Sequence, residues 1–247
     1  MTKTSKIRER TLCSLLFKTT SNYSANLQTL LALLDDAPLN SIVVAPEVCL
    51  TGFDYDRFAE AAAFTHEANA EIKKASLEKT IALTMIEKIG DEVFNMAKIF
   101  HKGEVVYERA KARLFRFGGE HHRFAQGGDE GVKIVEIDGV KIALLVCFEL
   151  RFKDLWKKVE GADVVCVPSW WGVLRADHFK SLTQALAIMN QCYVVASDSL
   201  NEECSKMSGI ISPQGRECAN EGRASLELKY DEKEIKLMRK YLDVGIK

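Results

Sequence analysis

Short apolar runs rich in β-branched residues alternate with longer stretches of helical period along this chain. TLCSLLF reads as a strand, NLQTLLALLDDA as an amphipathic helix and SIVVAPE as a second strand. The Ala- and Glu-rich stretch from Tyr55 to Lys79 predicts a long helix. IALTMIE, EVFNMAKIF and EVVYERA predict strands, the last two joined by the short HKG connection, so this part is antiparallel in character. VKIVEI, the turn DG and VKIALLVC form a further hairpin, and its second strand is apolar on both faces, as a covered central strand is. FKDLWKKVE predicts a short helix, ADVVCVPS a strand, RADHFKSLTQALAIMNQC a helix, YVVASDS and SGIISP strands, and EIKLMRKYL a final helix. This order predicts an α/β protein with one or two mixed sheets and helices outside, and polar groups at strand ends would gather into a site. No linker, repeat or low-complexity tract interrupts it, so one domain over residues 1–247 is expected.

Composition narrows the function classes. The chain has 247 residues, 47% of them hydrophobic, enough for a large core. Lys and Arg number 34 against 35 Asp and Glu without a long block of either sign, which argues against a nucleic-acid or membrane surface and for a small-molecule partner. MTKTSKIRER is followed by too short an apolar run for a signal peptide, and no window approaches the roughly 20 residues that span a bilayer. A cytoplasmic protein is expected. Seven cysteines without CxxC spacing favour reduced thiols over disulfides or zinc.

Three residues stand where strands stop. Glu47, in VVAPEVCLTGF, is either a solvated strand-end charge or a partly buried base with raised proton affinity. Lys111 lies in YERAKARLFRFGGEHHRF with Arg109, Arg113, Arg116 and Arg123; such a cluster is ordinarily a wet loop, but Leu114 and Phe115 can anchor it and draw one ammonium inward. There it would favour a thiolate or stabilise an oxyanion, with Glu120 orienting it. Cys147 ends IALLVC, just before FELRFKDLW. A cysteine in an apolar strand is ordinarily a small core residue, yet a strand running straight into a helix lifts a nucleophile out of the sheet beside backbone N–H groups, the Phe148 amide being the natural oxyanion donor. Glu149 and Arg151 fit a structural ion pair better than a substrate contact. Trp170 and Trp171, directly after a strand, either wall a pocket or cap the core, and Phe53, Tyr55, Phe117 and Phe124 are further wall candidates. The five histidines lack metal-ligand spacing, and no metal or organic cofactor is expected.

Taken together and in this order, VVAPEVCLTGF, KARLFRFGGEHHRF and LLVCFELRF resemble the glutamate, lysine and cysteine signatures of the nitrilase superfamily of carbon–nitrogen hydrolases. The likeness continues through PSWWGV, AIMNQCYVV and SGIISPQG, and KxxLFRxxGEH is most similar to the ω-amidase-like branch. The resemblance implies an αββα sandwich, four-layered across a homodimer or a higher homo-oligomer. It implies Glu47 as base, Lys111 as oxyanion stabiliser, Cys147 as nucleophile and Glu120 as the second glutamate. Phe148, Trp170 and Trp171 would then contact a small amide such as 2-oxoglutaramate, hydrolysed through a thioester. Departures from the pattern are Arg113 for a histidine, Lys153 for a proline, and Leu186 and Met189 for a charged pair, expected to be repacked. A non-catalytic binding or scaffold protein and an amide acyltransferase are the alternatives.

Overall fold

The computed structural model describes residues 9–219 and 222–246; most of the charged N-terminal run MTKTSKIRER lies outside them. The strands are β1 (Thr11–Leu15), β2 (Ser41–Val44), β3 (Thr80–Ile89), β4 (Glu92–His101), β5 (Glu104–Ala110), β6 (Val135–Ile137), β7 (Val140–Leu144), β8 (Val164–Ser169), β9 (Tyr193–Asp198), β10 (Gly209–Ile211), β11 (Glu217–Ala219) and β12 (Ser225–Lys229). The helices are α1 (Tyr23–Asp36), α2 (Phe58–Ala75), α3 (Lys153–Lys158), α4 (Ala176–Asn190) and α5 (Glu232–Tyr241).

They build two six-stranded mixed sheets, ordered β12-β1-β2-β3-β4-β5 and β11-β10-β9-β8-β7-β6. Period-two alternation decides which side chains go where. In the first sheet Leu12, Ile42, Val44, Ala82, Ala97 and Ile99 point to the second sheet, and Cys13, Val43, Ile81 and Leu83 point to α1 and α2. α4 covers the opposite face of the second sheet, burying Phe179, Leu186 and Ala187. The layers are therefore helix, sheet, sheet, helix.

Several boundaries differ from the sequence reading. The long helix occupies Phe58–Ala75 instead of 55–79, because Asp54 accepts from Arg57 in a turn before it and Ser76 bonds back to Lys73 at its end. β11 and β12 answer to no predicted strand; both are short edge strands with charged outward positions. FELR forms a 3-10 helix, Cys147–Arg151, ahead of α3. No helix among the described residues is long and apolar enough to cross a membrane.

Candidate active site

Parallel pairing of β1 with β2, β2 with β3, β7 with β8 and β8 with β9 brings several strand C-termini to one end of the sandwich. Here the chain leaves β2 at Glu47, β5 at Lys111 and β7 just before Cys147. Two of these exits, from β2 and β7, are sharp. Val48 has φ +42° and Cys147 φ +45°, conformations that L-residues enter only where the surroundings hold them. The Val48 N–H is fixed by Thr84 Oγ1 at 2.8 Å. Cys147 opens its 3-10 helix, so the strand-to-helix turn expected for a nucleophile is present.

Lys111 Nζ lies 2.7 Å from Glu47 Oε1 and 2.9 Å from Glu120 Oε1, and Lys111 and Glu47 have no solvent exposure. Glu47 Oε1 also accepts from Asn95 Nδ2 at 2.7 Å, and Oε2 from the Trp170 N–H at 3.2 Å. The Cys147 thiol and the Glu47 carboxylate lie close enough for each to shift the other's proton affinity. Glu120 Oε2 accepts from the Phe115 N–H at 3.0 Å, which pins the loop after Lys111. Gly127 allows that loop to close: its N–H donates to the Lys111 carbonyl at 2.9 Å, and a Cβ would lie 2.4 Å from the Ala110 carbonyl oxygen.

Burial raises the proton affinity of Glu47, which Glu120 raises further and Lys111 opposes. Burial and then the Glu47 charge push the Cys147 thiol well up, with Lys111 only partly offsetting them. The ammonium therefore does not hold a resting thiolate, as its position in sequence suggested, because its charge is already shared by two carboxylates. Instead a carboxylate beside a neutral thiol is placed to take its proton. Lys111 itself is held protonated by Glu47 and Glu120 against the cost of burial.

Glu149 accepts both Nη atoms of Arg109, at 2.7 and 2.5 Å, and the N–H groups of Ala112 at 2.6 Å and Val146 at 2.7 Å. One carboxylate thus ties the residue after Lys111 to the residue before Cys147. Arg151 belongs to no such pair: its guanidinium lies 4.8 Å over the Trp171 ring and 3.1 Å from His178 Nδ1. The 3-10 helix turns it outward from Glu149 and into the cleft.

A small cleft opens onto Cys147, lined by Phe115, Phe148, Arg151, Trp170, Trp171, Gly172 and Arg175, with about 20 Å³ free, room for one water molecule. Phe148, Trp170 and Trp171 all line it, and Trp171 also packs on Phe179 in the core. Phe53, Tyr55 and Phe124 form an aromatic cluster behind Trp170, and Phe117 is 90% exposed, so none of these four is a wall. Arg113 is paired with Asp129 and Asp154 and does not line the cleft. Leu186 is packed in the core, whereas Met189 is 64% exposed, so only the first of the two replaced positions is repacked. Asn95 and Arg175 were missed; Asn95 carried a signal, a polar residue in step with the inward-facing Ala97 and Ile99. Among the described residues, no group of three or more His, Cys, Asp or Glu is arranged to hold a metal ion.

The sequence model of the Carbon-nitrogen hydrolase family matches residues 11–240. A 2-oxoglutaramate amidase of Bacillus subtilis is 33% identical over 197 residues, covering 74% of each chain. The omega-amidase YafV of Escherichia coli is 29% identical over 77% of this chain and 76% of its own. Among solved structures, a CN-hydrolase superfamily protein of Xanthomonas campestris with an arsenic adduct in its active site superposes with a TM-score of 0.82 at 22% identity, over 95% of each chain. Saccharomyces cerevisiae Nit3, of branch 10 of the nitrilase superfamily, gives 0.80 at 20% identity over 96% of this chain and 95% of its own. These likenesses make the fold nitrilase-like.

Proposed function

The chain belongs to the carbon–nitrogen hydrolase family and is an amidase, and from that premise we propose that it hydrolyses the terminal amide of a small carboxylic acid, as an ω-amidase does with 2-oxoglutaramate. The observation that carries this reading is the meeting of Glu47, Lys111, Glu120 and Cys147 at a single buried point beside a cleft that Cys147 lines.

In the proposed reaction the Cys147 sulfur forms a bond to the amide carbon as its proton passes to Glu47. Lys111 and the Phe148 N–H meet the negative oxygen that results. The C–N bond then breaks, Glu47 returns the proton to nitrogen, and ammonia leaves a thioester. Water attacks the thioester with its proton taken by Glu47, and the C–S bond breaks to release the acid and restore the thiol. Glu120 holds the ammonium between two carboxylates throughout. No step calls on a metal or organic cofactor.

The test is ammonia release from a panel of small amides by the wild type and Cys147→Ala. Turnover only in the wild type is expected. Turnover surviving in the variant ends the cysteine mechanism, and silence in both favours the non-catalytic reading. Hydroxamate formation in hydroxylamine would trap the thioester and rank amines against water as acceptors. The homodimer of this reading would pack across α4, where Ile188 and Met189 are 45% and 64% exposed; light scattering of the purified protein gives its mass.

A further inference from the structure

The cleft carries two positive charges that the hydrolytic chemistry leaves unused. Arg151 and Arg175 both line it, and among the described residues neither guanidinium makes an ion pair. Elsewhere several enclosed cations have carboxylates: Arg109 has Glu149, Lys98 has Glu87 and Glu108, Arg113 has Asp129 and Asp154. Arg175 instead lies 5.2 Å over the Phe115 ring, and it presses so closely on Gly172 that a Cβ there would fall 2.6 Å from its Nη2. Its turn is fixed, the Arg175 carbonyl accepting from Trp171 Nε1 at 2.7 Å and the Val173 N–H donating to the Glu203 carbonyl at 2.8 Å. The two residues before it, Val173 and Leu174, are 50% and 91% exposed, so in this turn the charge faces the cleft and the apolar side chains face solvent. That is the reverse of the usual preference.

An aromatic face attracts a guanidinium but does not neutralise it. Burial and then the neighbouring Arg175 charge lower the proton affinity of Arg151, so the two cations oppose each other as they stand. An anion is the complement of such a cleft, and a guanidinium fork fits a carboxylate.

Resting on the amidase reading, we infer that Arg175 is a specificity-determining residue that binds a carboxylate on the acyl chain of the substrate, selecting anionic half-amides of dicarboxylic acids over neutral amides. With room for one water molecule beside Cys147, the incoming acyl chain displaces the Arg175 side chain from Phe115, and its carboxylate supplies the new partner.

The test compares glutaramate with pentanamide, which has a methyl group in place of the carboxylate. Arg175→Gln is expected to raise KM for glutaramate about tenfold more than KM for pentanamide, so that the ratio of the two kcat/KM values falls about tenfold. Arg175→Lys should recover part of the loss, keeping charge without the fork. Equal losses on both amides, or none on either, overturn the inference. Calorimetric titration with glutarate needs no turnover. Cys147→Ala should bind it about tenfold more tightly than the Cys147→Ala, Arg175→Gln double variant, and equal binding, or none in the single variant, overturns the inference as well. The titration judges Arg175 even if no amide is cleaved, an outcome that would sink the amidase reading alone.

Discussion

Glu47 and Glu149 are both fully buried and both bonded to a cation, yet their proton affinities move in opposite directions. Glu149 has Arg109 to itself in a two-pronged pair, and two backbone N–H groups complete its four acceptor positions. Burial works against its charge, but Arg109 and these donors overcome it and hold the carboxyl below the usual range. Glu47 shares Lys111 with Glu120, so one ammonium serves two carboxylates and burial prevails. Counting cations per carboxylate separates a fastening from the carboxylate proposed to accept the thiol proton, though both are made of the same groups.

Breaking each cluster in turn sharpens this contrast. The largest effect is expected from Glu47→Gln, which should cut kcat for ammonia release by about 10³–10⁴. Its melting temperature should fall less than that of Glu149→Gln, because Lys111 keeps Glu120. Glu149→Gln leaves Arg109 buried without its counter-charge and should cost about 3–5 kcal/mol in denaturant unfolding, or about 10 °C in melting temperature for a chain of this size. Smaller again, Glu120→Gln should lower kcat about tenfold with little change in KM, since it holds Lys111 and lies outside the cleft lining.

The smallest effect is in the pH dependence of stability. The Glu149 value is lowered on folding, so its contribution is present above the ordinary value of 4.5 and is lost as pH falls through the folded value. The Glu47 value is raised, so its contribution is complete below 4.5 and is lost as pH rises through the folded value. Chemical denaturation across pH should show Glu149→Gln flattening the acid side of the profile and Glu47→Gln the side above 4.5. The same side flattened by both would refute the distinction.

Period and strand-end position made much of this legible in the sequence. VVAPE, KARLF and LLVCFE placed Glu47, Lys111 and Cys147 where buried strands stop, and the run VKIALLVC, apolar on both faces, marked a covered strand. Glu149 was rightly read as structural, but Arg151 was not, because a residue two further along a 3-10 helix faces another way. β12 escaped notice although SLELK alternates, with Leu226 buried and Glu227 exposed, since five residues between charged turns carry a weak signal. Arg175 had no signal at all. A charge beside VL in a turn reads as a solvated tip, and only the packing of the turn against Trp171 and Phe115 reverses it.

β12 is one of the last strands along the chain, yet it pairs with β1, the first, through all five residues from Thr11 to Leu15. During synthesis the N-terminal sheet therefore waits with the β1 margin bare until about residue 229 has left the ribosome, by which time the whole second sheet has been made. Ribosome-bound chains stopped before Ser225 should show β1 amides exchanging rapidly and an appetite for chaperones that the complete protein lacks. β12 thus acts as a clasp on β1, closing the margin of the first sheet after the second has been made.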